Sequence, residues 1–149
     1  MPRFNVTGED ALAVSTTVMA LDGTSTTRGS IYDIVVGCNA TPADNAYEFN
    51  LRRFGPANGT GTAVTPVPLD TADAAAEIDG TTAHTTEASV TANNIILSWA
   101  QNQRATFRWV AAPGGELIMP ATTDVGIALF CENVSGSGVT VTASFHFSE

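Results

Sequence analysis

The chain has 149 residues, 44% of them hydrophobic and only 14% charged, and its 15 acids outweigh six basic residues to leave a formal net charge of −9. That length suits one domain with a core of its own. Ordinary apolar content excludes disorder, which needs low hydrophobicity with high net charge, and the acidic balance excludes the clustered cations that a nucleic-acid backbone requires. A charged fraction well below the roughly 25% of average soluble domains fits a protein much of whose surface is covered by neighbours. All six cations are Arg. Either Arg serves interface ion pairs and planar stacking, or a GC-rich genome prefers its codons, and both readings stand.

In chain order, the opening Met1-Pro2-Arg3-Phe4-Asn5 lacks the apolar run of a signal peptide, and no window approaches a membrane span. We therefore expect a protein made in a cytoplasm, with no membrane partner. Residues 1–14 are of mixed polarity with one short β-like run at 3–6, and read as an extended N-terminal arm; residues 15–149 read as a single β-sandwich domain. A Thr/Val/Met run over 15–21 stops at Asp22-Gly23, a strong turn signal. Residues 30–38 are rich in Ile, Val and Tyr. Residues 46–54 alternate Tyr47, Phe49 and Leu51 against Glu48, Asn50 and Arg52, the period of two that marks a half-buried strand. Two prolines demote 62–68 to an edge or a loop.

The segment 69–82 is the one place where a helix is expected. Asp70 or Thr71 can cap it, and Ala72, Ala74, Ala75 and Ala76 are good helix formers. It is short and lacks an apolar face, so it reads as a helical or irregular surface excursion near 70–80. Strand signals resume at 84–90, 95–101, 106–111, 116–119, 125–132 and 139–147, the last alternating Val139, Val141, Ala143, Phe145 and Phe147 over Thr140, Thr142, Ser144 and His146. Turn signals about every ten residues, with no alternating helices, predict an all-β antiparallel sandwich.

A search for chemistry yields no catalytic residue, cofactor or metal. His84 and Glu87 are three apart, which places them on opposite faces of a strand. His146 lies on a polar strand face. Asp70, Asp73 and Asp79 match no Ca²⁺-loop spacing. Gly136-Ser137-Gly138 lacks the flanks of a nucleophile elbow, and 55–61 is not a phosphate loop. Cys38 and Cys131 sit in apolar runs and read as buried free thiols.

The segment 102–117 is the most informative. It reads as a β-hairpin, with Arg108 facing opposite to Phe107 and Trp109, and with Pro113-Gly114 at the two central positions of a type II turn. Even spacing puts Arg104 and Arg108 on one face. Arg104, Arg108 and Trp109 then form a candidate interface patch, since Arg and Trp are enriched at binding hot spots. The alternative makes Trp99 and Trp109 core and pairs the arginines with Glu116 or Asp124.

That segment resembles small structural proteins of tailed bacteriophages. So do the opening Phe4-Asn5-Val6-Thr7-Gly8-Glu9-Asp10-Ala11-Leu12 and the middle stretches Ile31-Tyr32-Asp33 and Ala40-Thr41-Pro42-Ala43-Asp44-Asn45-Ala46. The resemblance implies a virion component, specifically a capsid decoration (cement) protein with a jelly-roll-like sandwich. It also implies a homotrimer whose partner is the major capsid protein of the same phage. Phe4, in the arm, joins Arg104, Arg108 and Trp109 as a candidate interface residue. The competing expectations are a tail, neck or fibre component, and a carbohydrate-binding sandwich stacking sugar on Trp99, Trp109 or Tyr47.

Overall fold

The computed structural model describes residues 1–11, 15–39, 41–134 and 138–149, and only the backbone of residues 91–93. Among the described residues there is no helix. The strands are β1 (Arg3–Ala11), β2 (Thr16–Asp22), β3 (Gly29–Cys38), β4 (Ala46–Phe54), β5 (Thr60–Val64) and β6 (Val67–Pro68). They continue as β7 (Asp79–Thr86), β8 (Val90–Asn102), β9 (Phe107–Val110), β10 (Leu117–Met119), β11 (Gly126–Val134) and β12 (Thr140–Ser148). They form two six-stranded sheets. The first runs β10, β3, β12, β1, β6, with β9 also paired to β3; the second runs β5, β7, β2, β11, β4, β8. Every pairing between them is antiparallel. The sequence-based expectation of an all-β antiparallel sandwich holds.

Alternation explains why these sheets face each other. β12 buries Val141, Ala143, Phe145 and Phe147 and turns Thr142, Ser144 and His146 outward. β4 buries Tyr47, Phe49 and Leu51 toward β12, and the two sets meet Val6, Met19, Leu21, Ile34, Val36, Ile127 and Leu129 in one core. The buried Tyr47 hydroxyl is fully used: it donates to the Val139 carbonyl at 2.8 Å and accepts from the Val139 N–H at 2.6 Å. Such pairing removes the penalty of a buried polar group. On the other face of the second sheet, Ala88 closes over Ala20, Ala128 and Phe54 in a smaller cluster.

The segment expected as an arm is largely a strand. Residues Arg3–Ala11 form β1, paired along their whole length with β12, and at Phe4 and Asn5 also with β6. Its inward row is Phe4, Val6 and Gly8, and Gly8 is small because Thr82 packs there: a Cβ would lie 2.8 Å from the Thr82 Cβ. Thr82 donates its hydroxyl toward both the Glu9 carbonyl of β1 and the Val18 carbonyl of β2, at 2.9 and 2.8 Å, which stitches the sheets at that edge. Residues 12–14 of the expected arm lie outside the described residues.

Residues 69–78 are irregular rather than helical. The Asp70 carboxylate accepts the Ala72 N–H at 2.9 Å and its carbonyl accepts the Asp73 N–H at 3.0 Å, a local turn that competes with a helix. With no apolar stripe to bury, nothing favours propagation beyond that turn. The segment is anchored at its end, where Ile78 is fully buried and the Glu149 carboxylate accepts the N–H groups of Glu77 and Ile78.

The expected hairpin over 102–117 also differs. β9 and β10 pair with β3 at Asp33–Val36 and Gly29–Ile31 respectively, end to end along one edge, instead of with each other. Residues 111–116 bulge out between them. The turn itself is as read: Gly115 donates to the Ala112 carbonyl at 2.8 Å, with Pro113 and Gly114 central and Gly114 at φ +80°.

At the end of β2, burial and the neighbouring carboxylates of Asp124 and Asp79 push the Asp22 carboxyl up to about 6 from its ordinary 3.8. A raised acid disfavours the folded state wherever it must ionise. The penalty is therefore present above about pH 6 and absent below the unfolded value near 3.8. Asp22→Asn should then stabilise the protein at pH 7.5 by about 1 kcal/mol after solvent screening. The gain should vanish by pH 3.5, as read from urea midpoints at the two pH values.

Candidate interaction surface

The outward face of the first sheet is a polar lattice built by strand alternation. Thr7 of β1 and Ser144 of β12 share a hydrogen bond of 2.8 Å, and Glu9 accepts from Thr142 at 3.1 Å and Asn39 at 3.0 Å. At its centre β3 carries a bulge: Phe147 pairs with Ile31 and His146 with Asp33, leaving Tyr32 as the extra residue. The bulge lets consecutive residues serve the same face. Tyr32 stacks on the His146 ring at a centroid distance of 6.1 Å, and Asp33 lies beneath Arg108 of β9.

Arg108 grips Asp33 bidentately, Nε to Oδ1 at 3.0 Å and Nη2 to Oδ2 at 2.6 Å. The Asp33 side chain is 8% exposed and that of Arg108 63%, so the acid is sunk in the sheet and the guanidinium covers it from solvent. His146 Nδ1 is 3.6 Å from Asp33 Oδ2. The hydrogen bonds from Arg108 hold the Asp33 carboxyl below the usual carboxylate range, against the opposing effect of burial. A depressed acid contributes stability above its unfolded pKa, near 3.8, and loses it as pH falls through the folded value. Asp33→Asn should thus lower the melting temperature at pH 7, and the deficit should shrink as the buffer is taken below pH 3.8.

The second feature is the open edge between β8 and β9. Trp99 of β8 stacks against Phe49 of β4 at 5.5 Å and against Phe107 of β9 at 4.1 Å, bridging the two sheets. Its Nε1 donates to Gln101 Oε1 at 2.9 Å. Ile96, Leu97, Trp99, Trp109 and Leu117 pack against the core here but stay half-buried, and Val110 is 57% and Ile95 45% exposed. Apolar side chains that reach the core yet remain wet mark an edge with nothing laid over it.

The sequence-predicted residues fall in different places. Arg108 is on the outer face as expected, but its partner is Asp33 instead of Glu116 or Asp124. Arg104 is exposed in the turn after β8, where its N–H is accepted by Asn102 Oδ1 at 2.9 Å, so it does not share a strand face with Arg108. Trp109 is half-buried against the main core. Phe4 is 1% exposed and stacked on Phe147 at 5.4 Å, which makes it a core residue with no surface to offer. Sequence reasoning missed Tyr32 and Asp33 as site residues and placed His146 only on a polar face; the bulge that gathers them leaves no composition signal.

Of the other candidates, His84 is buried. Ala83 before it is at φ +49°, and His84 Nε2 meets Thr81 Oγ1 at 3.2 Å. Burial holds the His84 pKa below its ordinary value. Cys38 and Cys131 are free thiols, Cys131 buried and pushed up to about 12 by that burial. Tyr47 is wholly buried. A hollow of about 610 Å³ beside the N-terminus gathers Arg3, Asp70, Thr71 and Asp73, with no His, Cys or Ser on its wall. Among the described residues no group of three or more His, Cys, Asp or Glu side chains is placed to hold a metal ion.

No protein-family model, curated protein or solved structure matches the chain.

Proposed function

We propose that this protein is a structural component of a bacteriophage virion: a capsid decoration (cement) protein that binds the outer capsid surface, against the major capsid protein and copies of itself, and stabilises the head. The observation that carries the reading is the strand order. β1, β12, β3 and β9 lie in one sheet and β2, β11, β4 and β8 in the other, so that β1 to β4 alternate between sheets. This order supports a jelly roll, an architecture found in viral capsid proteins as well as in lectins and cupins. β5, β6 and β7 are then an insertion between its fourth and fifth strands.

Fold alone does not give function, and the side chains narrow the choice. A lectin of the kind expected from sequence needs a free aromatic face. Tyr47 is buried, Trp99 is stacked on both Phe49 and Phe107, and Trp109 packs half-buried against the core, so none of the three presents a fully free face. The space between the sheets is filled by Phe, Ile, Leu, Met and Val side chains. What the molecule offers instead is surface: a polar face and an uncovered edge, as a module that ties neighbours together requires. The phage-like segments around Phe4, Ile31 and Arg108 support the same assignment.

Purified protein added to heads that lack it should raise the temperature at which they rupture, followed by dye access to the packaged DNA. Heads that neither bind the protein nor gain stability would contradict the cement role. Binding confined to tails or necks would move the protein to that part of the virion.

A further inference from the structure

We infer that β8 is a self-association edge, along which a second copy of this chain adds its own β8 antiparallel, joining two second sheets into one. β8 is the terminal strand of its sheet, and among the described residues no strand pairs with its other side. Its outward N–H and C=O groups form a template for another strand. Proteins ordinarily blunt such edges with charge, proline or brevity. β8 has 13 residues, Val-Thr-Ala-Asn-Asn-Ile-Ile-Leu-Ser-Trp-Ala-Gln-Asn, with no charge and no proline.

The occupant follows from charge and length. On a chain of net charge −9, most surfaces of two copies repel, whereas a neutral edge brings no like charges together. A strongly acidic or basic partner finds no counter-charge along β8. Of the other free edges, β5 has five residues, β10 three and β6 two, while β9 carries the Asp33-bound Arg108. Pairing β8 with itself about a two-fold uses the longest neutral edge twice, the isologous arrangement commonest in dimers. Leu97–Asn102 is the stretch in unbroken register with β4, so it is the regular part a second strand can extend. The same docking covers Ile95 and the half-buried Ile96, Leu97 and Trp99.

The inference rests on the virion reading and names where copies meet, as a two-fold pair in place of the homotrimer that the phage resemblance implies, but its test uses the free protein without heads. Failure here therefore leaves head binding to be judged by its own assay. Light scattering on the purified chain should give twice the chain mass. The double substitution Ser98→Lys with Ala100→Lys should give a monomer with an unchanged melting temperature. Both side chains are exposed and lie opposite Asn50 and Glu48 within the protomer, so added Lys is tolerated there, yet it faces its own copy across the pair. Amides of Leu97–Asn102 should also gain hydrogen-exchange protection as wild-type concentration rises. A wild type that stays monomeric at the highest soluble concentration, an odd-numbered assembly, or a dimer that survives both lysines would overturn the inference.

Discussion

Gly126→Ala should lower stability by about 3 kcal/mol or more, at the upper end of overpacking costs because the obstruction is backbone. Gly126 opens β11, the strand held between β2 and β4, and pairs with Asp22 on one side and Phe54 on the other. A Cβ there would lie 1.9 Å from the Leu21 carbonyl oxygen and 2.7 Å from the Phe54 ring. The ring can turn aside, but the carbonyl belongs to the β2 backbone and cannot move without straining the ladder. Against a total stability of about 5–15 kcal/mol for a domain, the loss is large. Urea denaturation followed by tryptophan fluorescence measures it; a change under 1 kcal/mol would mean that β2 and β11 are not packed as described.

Trp99→Ala should cost about 3 kcal/mol, the low end for deleting a large aromatic because Trp99 is only half-buried. The deletion removes two ring contacts at once, with Phe49 and with Phe107, each worth about 0.5–1.5 kcal/mol beyond area burial. It also uncouples the sheets at their open edge. Trp109→Ala should cost less than Trp99→Ala, since Trp109 packs on the same core without bridging from β8. If the two substitutions prove equal, the stack is not what holds that edge.

The strands whose pattern is complete within themselves were readable from sequence. Residues 47–52 and 139–147 carry an unbroken period of two, and β4 and β12 include nearly all of them. β1 was readable only over 3–6 because its inward row ends at Gly8, where Thr82 supplies the volume that an apolar side chain would otherwise announce. The alanines of 72–76 have high helix propensity, but without an apolar face the Asp70 turn prevails. The hairpin expectation rested on a turn that does form. Whether flanking strands pair with each other or with a third strand is decided by β3, far away in sequence.

The surface was less legible. Arg108 stood out as an Arg beside Trp in a strand, but its grip on Asp33 depends on the β3–β9 pairing and on the Tyr32 bulge, neither written in local composition. Phe4 illustrates the opposite error. An aromatic in a polar-looking opening reads as a docking anchor until the strand beside it is known, and here that strand brings Phe147 onto its ring. The open edge at β8 had a signal in plain sight, a long strand without a single charged residue in an acidic chain. Its meaning emerged only once the strand proved to be terminal in its sheet.

The central claim is that this sandwich serves by packing onto a phage head. Cryo-electron microscopy of the particle whose genome carries the sequence tests it most directly. The expected result is density on the outer capsid surface into which the two sheets fit, repeated with the capsid lattice. Capsids bare of such density, with the protein missing from the purified particle or ordered along the tail axis alone, would contradict the claim.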